Sequence, residues 1–305
     1  MARPTFPRTF SEFQDQFCDE DACRAYLAAC RWPDGYRCPR CEHGFAFELS
    51  RRKLWQCKSC GHQVSVTAGS VLHGTRASLR DWFWAAYLVT SHTPGMSALQ
   101  LQRQLGFRYE TAWIMLHKLR RAMRRPERER LYGKVEADET YVGRQENLRG
   151  GRQAGERAIV VGAIEVRAEG SGRLRLEVVP DVSGPSLTGF IKANVEPGTT
   201  IITDGWQGYA PLSGMGYRHK AKTQGDPRSS DVTPRMHRAF GNLKTWLRGT
   251  HHGVSKKHTH VYLDEFVFRF NRRRTPMAAF QSLLGLTSLH HPTSYKMLYG
   301  SESTG

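Results

Sequence analysis

Apolar residues at helical spacing dominate the first third of the chain. Phe10, Phe13 and Phe17 recur every three or four positions, which predicts a helical lead-in over residues 1–35. Further along, Ser78 is followed three residues later by an aspartate, an arrangement that often begins a helix. The pattern therefore predicts mainly helical structure in this part of the chain, apart from one short segment that carries cysteines.

A helix-turn-helix is predicted within residues 76–125. A short helix begins after Ser97 and ends at Gly106, and a longer amphipathic helix follows it. The apolar face of the longer helix consists of Ala112, Leu116, Leu119 and Met123. Its other faces are basic and predict contacts with DNA through Lys118, Arg120, Arg121 and Arg124. The structural alternative is a helical hairpin with a solvated charged face.

After a charged linker over residues 125–130, β-branched runs replace the helical pattern. Strands are predicted at 135–142, 158–166, 174–179, 200–203 and 218–222, and helices at 183–193, 235–247 and 262–270. Residues 143–156 are rich in Gly, Arg and Gln and are predicted to form a mobile loop. This order is typical of a ribonuclease-H-like α/β domain, here residues 132–290, with a mixed five-stranded sheet. The fold class is therefore α+β, and the first and fourth strands are expected to be neighbours.

Two aspartates occur at corresponding places in those two strands. Asp138 lies in the middle of Val-Glu-Ala-Asp-Glu-Thr-Tyr-Val-Gly, and Asp204 ends a β-branched run. Neighbouring strands would bring the two carboxylates close together, where they repel each other unless a cation lies between them. Each aspartate could instead be an ordinary strand-end or turn residue. The pair nevertheless predicts a site for a hard divalent cation.

The cysteines predict a zinc ribbon over residues 36–66. Two C-x-x-C pairs supply four thiolates, Cys38, Cys41, Cys57 and Cys60, and a hairpin of strands 45–49 and 53–56 is expected between them. His62 follows the second pair but is not needed as a ligand. A site with four thiolates is closed, so the zinc would have a structural or DNA-facing role.

All seven cysteines lie within the first 60 residues, which indicates a metal site in a reduced, cytosolic protein. The spacing of the other three fits no zinc pattern, and Cys18, Cys23 and Cys30 are expected to be buried thiols. We expect no secretory signal at the N-terminus and no membrane span, since no apolar run is long enough.

The net charge of +17 and isoelectric point of about 9.9 indicate a polyanionic partner, with nucleic acid as the leading candidate. A dense basic segment near the C-terminus carries Lys256 and Lys257, which are predicted to bind DNA. The same segment contains four histidines, His251, His252, His258 and His260. They lack carboxylate or cysteine neighbours, so phosphate contact is favoured over a second metal site.

Together these features resemble bacterial insertion-sequence transposases of the ISXO-type group, which have a zinc ribbon and a DDE-like core. The resemblance covers nearly the whole chain and rests on the motifs 135–143, 202–206, 249–258, 262–266 and 268–273. It implies binding to duplex DNA at inverted-repeat ends, cleavage there, and transfer of the 3′ ends into target DNA. It also implies Mg²⁺ or Mn²⁺ at Asp138 and Asp204, a homo-oligomer on DNA, and a bacterial cytoplasmic, nucleoid-associated location.

The third catalytic position departs from the carboxylate that is common in this family. The resemblance implies a lysine seven residues after that position on one helix, and Lys244 fits this lysine. Counting back gives His237, about 20° away in helical projection, whereas Asn242 points about 160° away from the lysine. We therefore predict His237 as the third residue and keep Asn242 as the alternative.

Two other functions remain possible from the residues. One is a DNA-binding regulator that inherited the fold without its activity, although both aspartates and Lys244 are present. The other is a stand-alone structure-selective nuclease, which would have no need for both a zinc ribbon and a helix-turn-helix. Cleavage of inverted-repeat ends in Mg²⁺ or Mn²⁺ separates the transposase from the regulator.

Overall fold

The computed structural model describes residues 4–125, 127–143, 157–222, 232–288, 290–293 and 297–298. The chain divides into a first unit, Met1–Met123 with Arg274–Gly305, and a second unit, Arg124–Arg273. The predicted mobile loop over 143–156 lies, after Gly143, outside the described residues. In the described part of the chain, no helix is both long and apolar enough to cross a membrane.

The first unit begins with two capped helices in the predicted helical lead-in. These are α1 (Phe10–Gln16) and α2 (Glu20–Arg31), whose first turns are capped by Thr9 and Asp19. A helix that the sequence did not predict, α9 (Pro276–Thr287), packs here through the ring of Phe280. The α/β domain predicted over 132–290 therefore extends too far, because α9 belongs to the first unit.

The cysteine-rich segment forms the predicted hairpin with one further short strand. Strand β1 (Ala46–Leu49) pairs antiparallel with β2 (Leu54–Cys57), and β2 pairs with β3 (Gln63–Val64). The hairpin brings the two C-x-x-C turns to the same end of the segment, since one precedes β1 and the other begins at the end of β2.

Three helices follow in the first unit, and the starts of the first two and the end of the second agree with the sequence prediction. They are α3 (Leu79–Ser91), α4 (Ala98–Leu105) and α5 (Tyr109–Ala122). Ser78 and Ser97 form capping boxes with Asp81 and Gln100. Gly106 ends α4 with a φ of 72°, a conformation that glycine adopts without steric cost. The short turn between α4 and α5 gives the predicted helix-turn-helix arrangement.

The second unit contains a mixed five-stranded sheet in the order β6-β5-β4-β7-β8. Its strands are β4 (Lys134–Val142), β5 (Ala158–Arg167), β6 (Gly170–Val179), β7 (Thr200–Asp204) and β8 (Arg218–Lys222). Its α-helices are α6 (Gly184–Asn194), α7 (Pro234–His251) and α8 (Thr259–Asn271). Short 3-10 helices cover Gln207–Met215 and Lys256–His258. Strands β4 and β7, the first and fourth of the sheet in chain order, are parallel neighbours as predicted.

Side chains of β4 alternate between two buried clusters, one on each face of the sheet. Val135 and Ala137 pack with side chains from α6, whereas Val142 packs with side chains from α7 and α8. Because alternate residues of a strand point to the same face, Glu136 and Asp138 lie on the face that α7 covers. The position of α7 therefore decides what surrounds these two carboxylates.

Candidate functional site

The four cysteines of the two C-x-x-C pairs come together at one end of the hairpin. All four Sγ atoms lie within 4.8 Å of one another. Cys38 Sγ is 3.6 Å from Cys60 Sγ, and Cys41 Sγ is 3.6 Å from Cys57 Sγ. A tetrahedral zinc ion bound at about 2.3 Å places neighbouring sulfurs roughly 3.8 Å apart. The spacing therefore supports zinc in the ribbon, without His62, which is not part of this group.

Each C-x-x-C turn ends with a residue in the left-handed conformation. Glu42 follows the first pair with a φ of 58°, and Gly61 follows the second with a φ of 68°. The backbone N–H of Arg40 also donates to Cys38 Sγ at 3.4 Å, which favours the thiolate form. The local backbone thus directs both pairs of sulfurs toward one point.

The remaining cysteines were predicted to be buried, and this holds only for Cys23. Cys18 is exposed, in the turn between α1 and α2, and Cys30 is partly exposed. Burial raises the pKa of Cys23 to about 12, so this thiol stays protonated and unreactive near neutral pH. The prediction failed for Cys18 because it rested on the absence of a zinc spacing, which says nothing about burial, and this residue lies in a turn.

Asp138 is held in the middle of β4 with only 8% of its surface exposed. Its Oδ1 accepts the N–H of Glu139 at 2.8 Å, and its Oδ2 accepts the hydroxyl of Thr233 at 2.9 Å. The pKa of Asp138 is raised, chiefly by burial and also by the charge of Asp204, although the hydrogen bonds from Thr233 and Glu139 oppose this shift. A cation at this position would stabilise the ionised carboxylate.

Asp204 ends β7 next to Asp138. In the parallel ladder Glu136 pairs with Ile202, so two residues further along each strand bring Asp138 and Asp204 to neighbouring positions on one face. The N–H of Trp206 donates to Asp204 Oδ1 at 3.1 Å, which fixes the side chain in the turn after the strand.

His237 lies in the first turns of α7, the helix that covers this face of the sheet, and contacts Asp138 from there. Its Nε2 lies 2.9 Å from Asp138 Oδ2, and about half of its side chain (52%) is exposed. Asn242, the alternative third residue, lies further along α7 and is exposed. The structure thus brings His237 and Asp138 into contact. Among the described residues, however, Asp138, Asp204 and His237 do not form a second metal-ligand group like that of the cysteines.

Lys244 lies two turns further along α7, in a cavity of about 970 Å³. The cavity is lined by basic side chains and by the end of β4, including Tyr141, Gly143, Arg157, Lys244, Arg248 and His252. Burial lowers the pKa of Lys244, the charges of Arg248 and Arg157 lower it further, and the charge of Asp138 acts in the opposite direction. An anion in the cavity would relieve the repulsion among these cations, and the sequence had not singled out Arg157.

Two domain families match the chain at the places where these features lie. The ISXO2-like transposase domain matches residues 130–271, and the transposase zinc-ribbon domain matches residues 18–63. Together the two matches cover more than half of the chain. The chain belongs to the ISXO2-like transposases.

A relative and a solved structure are also similar to this transposase. The chain is 26% identical over 281 residues to an uncharacterized protein in transposable element ISH50 of Halobacterium salinarum, with 85% of this chain and 94% of the relative covered. A chain in a cryo-EM structure of the simian T-cell lymphotropic virus intasome with the PP2A regulatory subunit B56 gamma is 15% identical, with 72% of this chain and 76% of that chain covered. Its TM-score of 0.28 is too low to show a common fold.

Arg120 was predicted to lie on the basic, DNA-facing surface of helix α5, but it is buried. Only 1% of Arg120 is exposed, and its Nη2 donates to the carbonyl oxygen of Met96 at 3.3 Å. Lys118 is partly buried, and this burial lowers its pKa. Arg124 is exposed and Arg121 is partly exposed. The buried face of α5 is wider than its apolar residues indicated, so Arg120 has a structural role here.

The C-terminal basic segment of the second unit stays accessible. Lys256 and Lys257 lie in the 3-10 helix before α8 and are exposed. The four neighbouring histidines do not form a group of metal ligands within the described part of the chain. The contact of this segment with phosphate therefore stays a prediction.

Two polar residues beside the candidate site, Glu136 and Thr233, were not predicted from the sequence. Thr233 donates to Asp138 and is fully buried, and Glu136 contacts the start of α7. Glu136 stands two positions before Asp138, so strand alternation places it on the same face. That alternation was a signal for Glu136, whereas no local pattern identified Thr233.

Proposed function

We propose that this transposase binds transposon ends, cleaves them in a metal-dependent reaction and transfers the 3′ ends into target DNA. The observation that carries the proposal is the contact of His237 with Asp138 beside Asp204. His237 of α7 contacts Asp138, and Asp204 ends the neighbouring strand, so two carboxylates and an imidazole are available in this part of the sheet. Metal ions bound by these side chains could hold a reacting phosphodiester group.

The donor chemistry of this point fits a divalent cation. Asp138 and Asp204 supply the hard oxygen ligands that Mg²⁺ and Mn²⁺ prefer, and His237 adds an imidazole nitrogen that brings no negative charge. The pKa of Asp138 is raised by burial and by the neighbouring charge of Asp204, which a cation would compensate. Two bound Mg²⁺ or Mn²⁺ ions would activate the attacking oxygen and stabilise the leaving oxygen.

The side chains of the chain itself have separate tasks in this proposal. Asp138 and Asp204 hold the ions in position, and His237 completes the ligand set from α7. Lys244 lies in the basic cavity further along the same helix and binds a phosphate of the DNA backbone. The zinc ribbon and the surfaces at Lys118, Arg121, Arg124, Lys256 and Lys257 supply further DNA contacts. We expect a homo-oligomer on DNA, because transposition acts on two ends together.

A DNA-binding regulator without catalytic activity is the second candidate. It has the same zinc ribbon and basic surfaces, and only cleavage separates it from an active transposase. Both carboxylates lie on neighbouring strands, and the charge of Asp204 helps to raise the pKa of the buried Asp138. This supports the active enzyme, because a regulator has no use for a second carboxylate that repels a buried one.

The test uses labelled duplexes that end in the inverted repeats flanking the gene. We expect the wild type to cleave them in Mg²⁺ or Mn²⁺, and Asp138→Asn and Asp204→Asn to bind the same ends without cleaving them. Binding by the wild type with no cleavage in either metal would favour the regulator. Cleavage that persists in both variants would place the active site elsewhere.

A further inference from the structure

The first turn of α7 lacks the side-chain cap that helices usually carry. Thr233 occupies the N-cap position but makes no capping hydrogen bond. Its hydroxyl donates to Asp138 Oδ2 instead. A helix leaves its first backbone N–H groups without intrahelical partners, so those of α7 must be satisfied by another group.

Glu136 supplies that partner from the sheet. Its Oε2 accepts the N–H of Arg235 at 2.7 Å and the N–H of Met236 at 3.1 Å. Pro234, the first residue of the helix, has no N–H, and the N–H of His237 already donates to the carbonyl oxygen of Thr233. Every backbone donor of the first turn is therefore accounted for.

The carboxylate of Glu136 is well suited to this position. Only 2% of the residue is exposed, and its Oε1 also accepts a hydrogen bond from the guanidinium of Arg235 at 3.2 Å. The positive end of the helix dipole further stabilises a negative charge at the start of α7. A buried carboxylate with these partners fixes both the height and the rotation of the helix above β4.

We propose that Glu136 is a positioning residue, which anchors the first turn of α7 so that His237 and Thr233 meet Asp138. Glu136 and Asp138 are alternate residues on one face of β4, and their partners Arg235 and His237 are alternate residues of α7. One strand thus carries both the reactive carboxylate and the carboxylate that aligns the helix above it. The proposal rests on the proposed function, because the alignment matters for catalysis only if Asp138 and His237 are catalytic.

Three substitutions test this role in the full-length protein. Glu136→Ala removes the acceptor, whereas Glu136→Gln keeps one oxygen for the backbone N–H groups but places an NH₂ near the guanidinium of Arg235. Arg235→Ala removes the guanidinium and keeps the backbone donor. We expect end cleavage to fall by about 10- to 100-fold in Glu136→Ala, less in Glu136→Gln and least in Arg235→Ala. Binding to the DNA ends should not change.

A matched control is available at Glu165 in the neighbouring strand. Glu165 is also buried, with 4% exposed, and its Oε1 binds the guanidinium of Arg173 at 2.6 Å. It pairs with Val135, whose side chain faces α6, so it points away from α7. Glu165→Gln should lower stability without changing cleavage per folded molecule.

The second readout is amide hydrogen exchange at the start of α7, which needs neither metal nor DNA. We expect the N–H groups of Arg235 and Met236 to exchange faster in Glu136→Ala and to stay protected in Glu165→Gln. Exchange rates at Arg235 and Met236 that match the wild type in Glu136→Ala would overturn the proposal. The proposal would also fail if Glu136→Ala and an equally destabilised Glu165→Gln lost the same amount of cleavage. If the wild type does not cleave at all, the proposed function fails, while the exchange experiment still tests the anchor.

Discussion

The Nε2 atom of His237 lies 2.9 Å from Oδ2 of Asp138, and this contact joins helix α7 to the central strand β4. The same oxygen of Asp138 accepts the hydroxyl of Thr233. Two groups of the α7 segment therefore converge on one oxygen of the carboxylate. Substitutions in this segment therefore act directly on the surroundings of Asp138.

The identity of the third catalytic residue can be tested on α7. We expect His237→Ala to lower end cleavage by at least about tenfold, because it removes a ligand. His237→Glu restores a carboxylate and should retain cleavage. Asn242→Ala serves as the control and should behave as the wild type, since Asn242 is exposed. Loss of cleavage in Asn242→Ala together with full activity in His237→Ala would make Asn242 the third residue.

The zinc ribbon should bind one zinc ion per chain through its four cysteines. Cys38→Ser removes one thiolate, so we expect loss of the metal, unfolding of the ribbon and weaker binding to DNA ends. The strands of the second unit should stay folded. Elemental analysis and hydrogen exchange measure these effects, with Cys18→Ser as the control outside the cluster. Zinc-free wild-type protein purified without chelators would refute the prediction.

The basic face of α5 should divide into residues that bind DNA and one that stabilises the fold. Arg121→Ala with Arg124→Ala should weaken end binding and lower the salt slope by about one per lost phosphate contact. Arg120→Ala should instead reduce the free energy of unfolding by about 1–3 kcal/mol, because it leaves the carbonyl of Met96 without its partner. Binding titrations over a range of salt concentrations and chemical denaturation separate the two effects. An unchanged salt slope in the Arg121/Arg124 double variant would favour a plain helical hairpin.

The cavity beside Lys244 should bind a backbone phosphate. Arg157→Ala removes one of its cations, so we expect weaker binding to DNA ends, a smaller salt slope and slower cleavage. Lys192→Ala removes an exposed cation from α6 in the same unit and serves as the control for net charge. Equal effects of the two substitutions would show that only the overall charge matters.

The close approach of α7 to the sheet should depend on Gly162, which pairs with Asp138 in β5. A Cβ atom at Gly162 would overlap Met236 of α7 and lie 2.8 Å from Leu176 Cδ2. We expect Gly162→Ala to destabilise the protein by about 1 kcal/mol and to slow cleavage slightly, because the ends of the flexible Met236 and Leu176 side chains must shift within a packed core. Gly241→Ala adds a methyl group at an open position of the same helix and should stabilise it by up to about 1 kcal/mol. Thermal unfolding and end cleavage measure both variants; wild-type behaviour of Gly162→Ala would show that the contact adjusts without cost.

Features that depend on neighbours within a few positions could be predicted from the amino-acid sequence alone. The paired C-x-x-C spacing fixed the zinc ligands, because each turn delivers two sulfurs from one short segment. Ser78, Ser97 and Gly106 fixed helix ends through hydrogen bonds and backbone conformations that span one turn. Strand order followed from the succession of β-branched runs and helices, and it placed Asp138 next to Asp204. The resemblance to the transposase family, together with helical spacing from Lys244, pointed to His237, whose catalytic role stays a prediction.

Contacts between side chains of distant segments could not be predicted without the folded structure. The hydrogen bonds of α7 with Asp138 and Glu136 join residues 95 to 100 positions apart, and no local pattern encodes such a distance. Packing also determined the burial of Arg120 and the place of α9 in the first unit, where the ring of Phe280 joins those of Phe13 and Phe17. Apolar periodicity shows that a face will be covered, but the covering element is set by the shape and volume of the whole core.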